Sequence, residues 1–110
     1  MNVVDELAVV HEKLEQLEEG PAVVGDWHRF EARVGRMLVH AQNELTRLQR
    51  DLIELVRAEP PDRRWHELQV QTRALRDAME ELRMLRLCAQ SRLFEYEAAS
   101  AQTDFTNWTR

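Results

Sequence analysis

The sequence predicts an all-α protein: two long helices folded back on each other as an antiparallel coiled-coil hairpin, preceded by a shorter N-terminal helix. Apolar residues recur at the three- and four-residue spacing of a helix face through most of the 110 residues. The three prolines and two of the three glycines lie at only two places, so long stretches contain no helix breaker. The two longest apolar stripes also match each other as an antiparallel pair.

The first helix is predicted over residues 3–19. Its apolar stripe consists of Val3, Leu7, Val10, Leu14 and Leu17. Gly20 suits the left-handed conformation that often ends a helix, and Pro21 cannot continue one. The helix is also acidic, because residues 1–19 contain six acidic side chains and one lysine. This net charge of −5 equals that of the whole chain.

The second helix is predicted over residues 27–58, with Asp26 as its N-cap. Pro60 and Pro61 end it, because proline lacks the backbone donor and disfavours a helical residue before it. Its stripe comprises Trp27, Phe30, Val34, Leu38, Ala41, Leu45, Leu48, Leu52 and Leu55.

The third helix is predicted over residues 62–101, followed by a tail at 103–110. The stripe comprises Trp65, Leu68, Thr72, Leu75, Met79, Leu82, Arg86, Ala89, Leu93 and Tyr96. In the tail, Phe105 and Trp108 are two large aromatic residues in a polar segment. We expect that these two residues either dock on their own chain or form a secondary surface that binds a partner.

The register of the hairpin follows from the two stripes. Residues that face each other in a tight antiparallel pair have numbers that add to a constant, and most stripe residues pair at 120, as Leu45 does with Leu75. Arg86 interrupts the apolar stripe, because it is a charged residue at a position where the pattern expects an apolar one. Its stem is expected to pack while its guanidinium reaches water or Glu31. The alternative is a polar residue that sets the register of the seam.

Composition predicts one helical domain over residues 1–110, with 44% hydrophobic residues and a single cysteine, Cys88. A lone cysteine forms no internal disulfide, and neither a leader nor a membrane-spanning run is visible. These features favour a cytoplasmic protein that does not enter membranes.

No motif predicts an enzyme, a cofactor site or a metal site. His28 with Glu31 and His40 with Glu44 have helical spacing, but a metal site needs three or four converging ligands. No glycine-rich loop or nucleophile motif is present. The histidine and glutamate pairs are therefore interpreted as solvated surface.

The third helix is rich in arginine, which raises nucleic-acid binding as an alternative. Its acidic residues oppose this interpretation, as does the pI near 5.4. We expect a solvated, ion-paired surface, formed by Arg63, Arg64, Arg73, Arg76, Arg83, Arg86 and Arg92.

The end of the hairpin near the prolines is the predicted interface. The first helix is too short to reach this end of the hairpin. Yet this end carries more apolar residues than a seam between two helices can bury. Two such ends would form a four-helix core around a two-fold axis. The interface is predicted at Leu48, Leu52, Ile53, Val56, Trp65, Leu68 and Val70.

The sequence therefore favours a non-enzymatic interaction module, a self-associating hairpin that acts as a scaffold or adaptor and forms a homodimer. The first alternative is a small acidic cytoplasmic chaperone or adaptor for a helical partner that is secreted or belongs to a toxin system. The second is nucleic-acid binding through the third helix.

Overall fold

The computed structural model of the chain describes the backbone of residues 2–58 and 63–108 and the side chains of residues 2–57 and 63–101. Within these ranges it is all-helical and contains no strand, which confirms the all-α part of the predicted fold class. The helices are α1 (Val3–Glu19), α2 (Val24–Ala58) and α3 (Arg63–Trp108). The predicted break at Pro60 and Pro61 lies outside the described residues.

Helix α1 begins at a polar side-chain cap and ends at a glycine. The side chain of Asn2 accepts a hydrogen bond from the Val4 amide at 3.1 Å and satisfies a donor that the first turn leaves unpaired. Gly20 ends the helix, but not in the predicted left-handed conformation: its φ is −103° and its ψ 173°. The reason is Pro21, because a residue before proline is driven into the extended region.

Helix α2 begins three residues earlier than predicted, so Asp26 lies in its first turn and is not the N-cap. The Asp26 carboxylate accepts a hydrogen bond from the Val23 amide at 3.1 Å and is also paired with Arg29. These two contacts, the backbone one first, lower the pKa of Asp26 below its ordinary value. The carboxylate thus caps the helix from inside its first turn.

Helix α3 continues to Trp108 and includes most of the segment predicted as a separate tail. No glycine or proline follows Pro61 in the sequence, so nothing in that segment forces the helix to end. The side chains of Phe105 and Trp108 lie outside the described residues.

Helices α2 and α3 pack against each other along their apolar stripes. Every stripe residue of α2 from Trp27 to Leu55 is buried or half-buried. The contacts run in opposite order along the two helices: the Arg92 guanidinium lies 5.9 Å from the Trp27 ring centre, whereas Leu48 and Leu75 line one cleft.

Helix α1 lies along one side of the α2–α3 pair. His11 is 3.1 Å from the Glu81 carboxylate on α3, and the Arg33 guanidinium on α2 is 3.2 Å from the carboxylate of Glu6. Below α1, the core includes side chains that neither long stripe predicts, namely Met37, Ala78 and Leu85. The first turn of α1 reaches the level of Leu48, which the sequence predicts to lie beyond its reach.

The molecule is elongated, with principal extents of 75 × 25 × 16 Å. None of the helices, over the residues that the structure describes, has a stretch long and apolar enough to cross a membrane.

Candidate interaction surfaces

A polar cluster interrupts the apolar seam at the middle of α3. The Arg86 Nε atom donates a hydrogen bond to the Glu31 carboxylate at 2.8 Å, and the Gln90 amide donates to the same oxygen at 3.4 Å. The Arg86 hydrogen bond is the main reason that the pKa of Glu31 is lowered. A Cβ atom on Gly35 would lie only 4.0 Å from the Arg86 guanidinium carbon. The expectation that Arg86 reaches Glu31 is confirmed.

Beyond the reach of α1, three apolar side chains of the predicted interface are exposed to solvent. Ile53 and Val56 are 53% and 57% exposed, and we call these two residues the joint cluster. Val70 on α3 is 68% exposed, but it is two residues from the buried Leu68 and therefore points away from the seam and from α2. Ile53 and Val56 are three residues apart and therefore share one side of α2. An exposed apolar group of this kind is a feature of protein interaction sites.

The other four residues of the predicted interface are less accessible. Leu48 and Leu68 are buried in the seam, and Leu52 and Trp65 are half-buried. Leu48 and Leu68 therefore do not present a free surface. The structure places the secondary partner residues, Phe105 and Trp108, on the last turns of α3, where side chains are not described.

A second surface is a groove of about 530 Å³ between α2 and α3, which we call the open groove. No α1 residue and no acidic side chain is among the described residues that line it. Val39 and Leu87 stand on its two walls, 63% and 59% exposed. The lining residues are Gly35, Leu38, Val39, Gln42, Met79, Arg83, Arg86, Leu87 and Gln90.

The open groove lies on the side of the helix pair opposite α1. Successive residues of a helix are about 100° apart, so two residues separated by two positions point about 200° apart. Met37 is buried in the core below α1, and Val39 lines the open groove. On α3, Leu85 is likewise buried in the core, and Leu87 lines the open groove. The α2–α3 pair thus has one side covered by a helix and one side open.

The arginines of α3 are less fully ion-paired than the sequence predicts. Arg63, Arg86 and Arg92 contact Glu67, Glu31 and Glu95. Among the described side chains, four others make no ion pair, namely Arg64, Arg73, Arg76 and Arg83. Of these, Arg83 lines the open groove, and Arg76, seven residues before it, lies on the same face of α3. Positive charge is therefore available on the open side.

Three further features of the described part of the chain concern metal ligands, the thiol and a second cavity. No three His, Cys, Asp or Glu side chains come together there to hold a metal ion. Cys88 is an exposed free thiol. A smaller cavity of about 350 Å³ lies where α1 ends, near the hydrogen bond from the Tyr96 hydroxyl to the Ala22 carbonyl.

The open groove was missed from the sequence, although a signal for it exists. Val39 and Leu87 are apolar residues that do not belong to either stripe. Phe94, which is 70% exposed, follows Leu87 by seven residues and so repeats its position on α3. An apolar repeat beside the main stripe is the pattern that indicates a second packing surface.

Comparison with known proteins gives no match: no protein-family model fits the chain, and no curated protein or solved structure is significantly similar to it.

Proposed function

We propose that the chain is a non-enzymatic scaffold or adaptor of the cytoplasm whose α2 and α3 form an antiparallel coiled-coil hairpin that self-associates. The observation that carries this proposal is the exposure of the joint cluster in the section that α1 does not cover. Apolar side chains exposed together are costly for a monomer, because each methylene left in water forgoes about 0.8 kcal/mol.

The proposed assembly is a two-fold dimer of the ends near Pro60. Each copy contributes its part of α2 and α3, and the four helices enclose Ile53 and Val56 in a bundle core. Leu52 and Trp65, half-buried in one copy, complete that core. Charge does not oppose this pairing, because the charged residues around Ile53 and Val56 balance, two basic against two acidic: Arg50, Asp51, Glu54 and Arg57.

Light scattering on the full chain tests this proposal. A dimer of twice 13.0 kDa is expected at tens of micromolar. The double substitution Ile53→Glu with Val56→Glu is expected to give a monomer, because it places four charges in the four-helix core of the dimer. Val9→Glu is the matched control, since Val9 is also an exposed valine but lies on α1.

A monomeric wild-type chain at that concentration contradicts self-association. A dimer that survives the double substitution but not the control moves the interface to α1. Circular dichroism of each variant confirms that a change in mass does not result from unfolding.

A further inference from the structure

We propose that the open groove binds an amphipathic helix whose apolar stripe is flanked by acidic residues. This site is distinct from the joint cluster, because Val39 and Ile53 are fourteen residues apart, about 21 Å along α2. The inference names the kind of partner that an adaptor of this shape takes, and it does not depend on dimer formation.

The chain itself shows how a helix packs on the α2–α3 pair. Helix α1 buries Val3, Val10 and Leu17 against the two long helices. It is acidic, and its Glu6 pairs with Arg33 on the helix below. An apolar stripe with flanking carboxylates is therefore a chemistry that one side of this pair already accommodates.

The open side offers matching contacts without an occupant from this chain. Val39 and Leu87 provide apolar walls, and Phe94 extends the α3 wall. Gly35 lines the groove without a side chain, and a Cβ at that position would lie 4.0 Å from the Arg86 guanidinium carbon. An occupant helix in this groove would place its stripe between these walls, as helix-in-groove ligands do.

Charge selects an acidic helix over a second copy of this groove. Arg76 and Arg83 make no ion pair with any described residue, whereas Arg86 is already neutralised by Glu31. Two copies that met through their open grooves would bring these unpaired arginines together, and like charges in a forming interface are costly. An acidic helix neutralises them instead, as Glu6 does for Arg33.

The test uses two synthetic amphipathic peptides that carry leucine at the same stripe positions. One has glutamate on both flanks of the stripe and its twin has lysine. Fluorescence anisotropy with the full chain is expected to show binding of the glutamate peptide with a Kd below about 100 μM, and at least tenfold weaker binding of the twin. Raising the salt concentration is expected to weaken binding of the glutamate peptide.

Variants locate the site. Leu87→Glu and Arg83→Glu are each expected to weaken binding of the glutamate peptide at least tenfold. The matched controls are Val9→Glu for the apolar wall and Arg64→Glu for the charge. Arg64 also makes no ion pair with any described residue, but it lies nineteen residues from Arg83, about 28 Å along α3. The substituted side chains are all exposed, so each variant is expected to fold.

Four outcomes overturn the proposal. The first is equal binding of the two peptides, and the second is binding of the glutamate peptide that Leu87→Glu and Arg83→Glu leave unchanged. The third is a combination of two results: the wild-type chain is a dimer that Leu87→Glu converts to a monomer, and neither peptide binds. That combination would assign the groove to a second copy of the chain. The fourth is failure of both peptides while a single-stranded oligonucleotide binds through Arg83, which assigns the arginines to phosphate.

Discussion

Two regions of the same helix pair differ in how completely they are packed. Where α1 covers α2 and α3, the largest fully buried side chains of the molecule are found: Val10, Val34, Met37 and Leu82. Beyond α1, in residues 49–57 and 63–70, Leu68 is buried, but Leu52, Leu55 and Trp65 are only half-buried, although they occupy the same kind of stripe position. The heptad pattern alone therefore does not determine burial. A third helix makes the difference, because two helices shield a seam from only two directions.

The largest expected difference between the regions is in the cost of removing a core leucine. Leu82→Ala should lower the free energy of unfolding by about 2 to 5 kcal/mol, as in a well-packed core. Leu52→Ala should cost less than half as much when the chain is monomeric, because its side chain is already partly in water. Urea denaturation at low protein concentration measures both. Equal losses would contradict the distinction between the regions.

Amide hydrogen exchange should show the same difference without a mutation. Amides near Met37 and Leu82 are expected to exchange about 10 to 100 times more slowly than those of residues 50–57, because opening there exposes a more complete core. The proposed dimer sharpens this test. Raising the protein concentration should slow exchange in residues 50–57 and leave the three-helix region unchanged. No concentration dependence would argue against an interface at the joint cluster.

A smaller effect is expected at the polar cluster of the seam. The pKa of Glu31 is lowered in the folded state, so its ionised form stabilises the fold above its ordinary pKa near 4.5. That contribution is lost as the pH falls through the lowered value. Glu31→Gln should therefore cost under about 1 kcal/mol at neutral pH and nothing at the acidic end of a urea series.

Glu95→Gln is the control for this measurement, because Glu95 pairs with Arg92 in a more exposed position. At neutral pH it should cost less than Glu31→Gln, because solvent screens a more exposed ion pair more strongly. A Glu31→Gln curve parallel to the wild type throughout would show that the Arg86 contact does not affect stability.

The smallest effect is expected on the exposed side of α3. Arg73→Gln and Arg76→Gln should each change the free energy of unfolding by less than about 0.5 kcal/mol, because both side chains are exposed and make no ion pair within the described residues. A loss above 1 kcal/mol for either variant in urea denaturation would place that arginine in a contact within the folded chain or its assembly.

The sequence predicts the parts of this fold that depend on local pattern. The stripes of α1 and α2, and the contact between Arg86 and Glu31, follow from spacing and register. The helix ends were less predictable. Asp26 resembles an N-cap, but it lies in the first turn and accepts a hydrogen bond from the Val23 amide. Gly20 is extended and not left-handed, because the proline that follows it restricts its backbone.

Two features of the candidate sites needed the tertiary structure. Met37 and Leu85 are core residues only because α1 lies above them. The apolar stripes of α2 and α3 do not predict on which side of the pair α1 packs. For the same reason, the open groove becomes visible only when the covered side is known. Val39 and Leu87 by themselves are scattered apolar surface residues, which most proteins possess.

The elongated form of the chain has a consequence for its surface area. A compact monomer of 13.0 kDa is expected to expose about 6300 Å², whereas this chain exposes 8147 Å². The excess is about 1800 Å², and one side of a protein–protein contact of ordinary size removes about 800 Å². Two such contacts, one at the joint cluster and one in the open groove, would give the chain the solvent exposure of a compact protein.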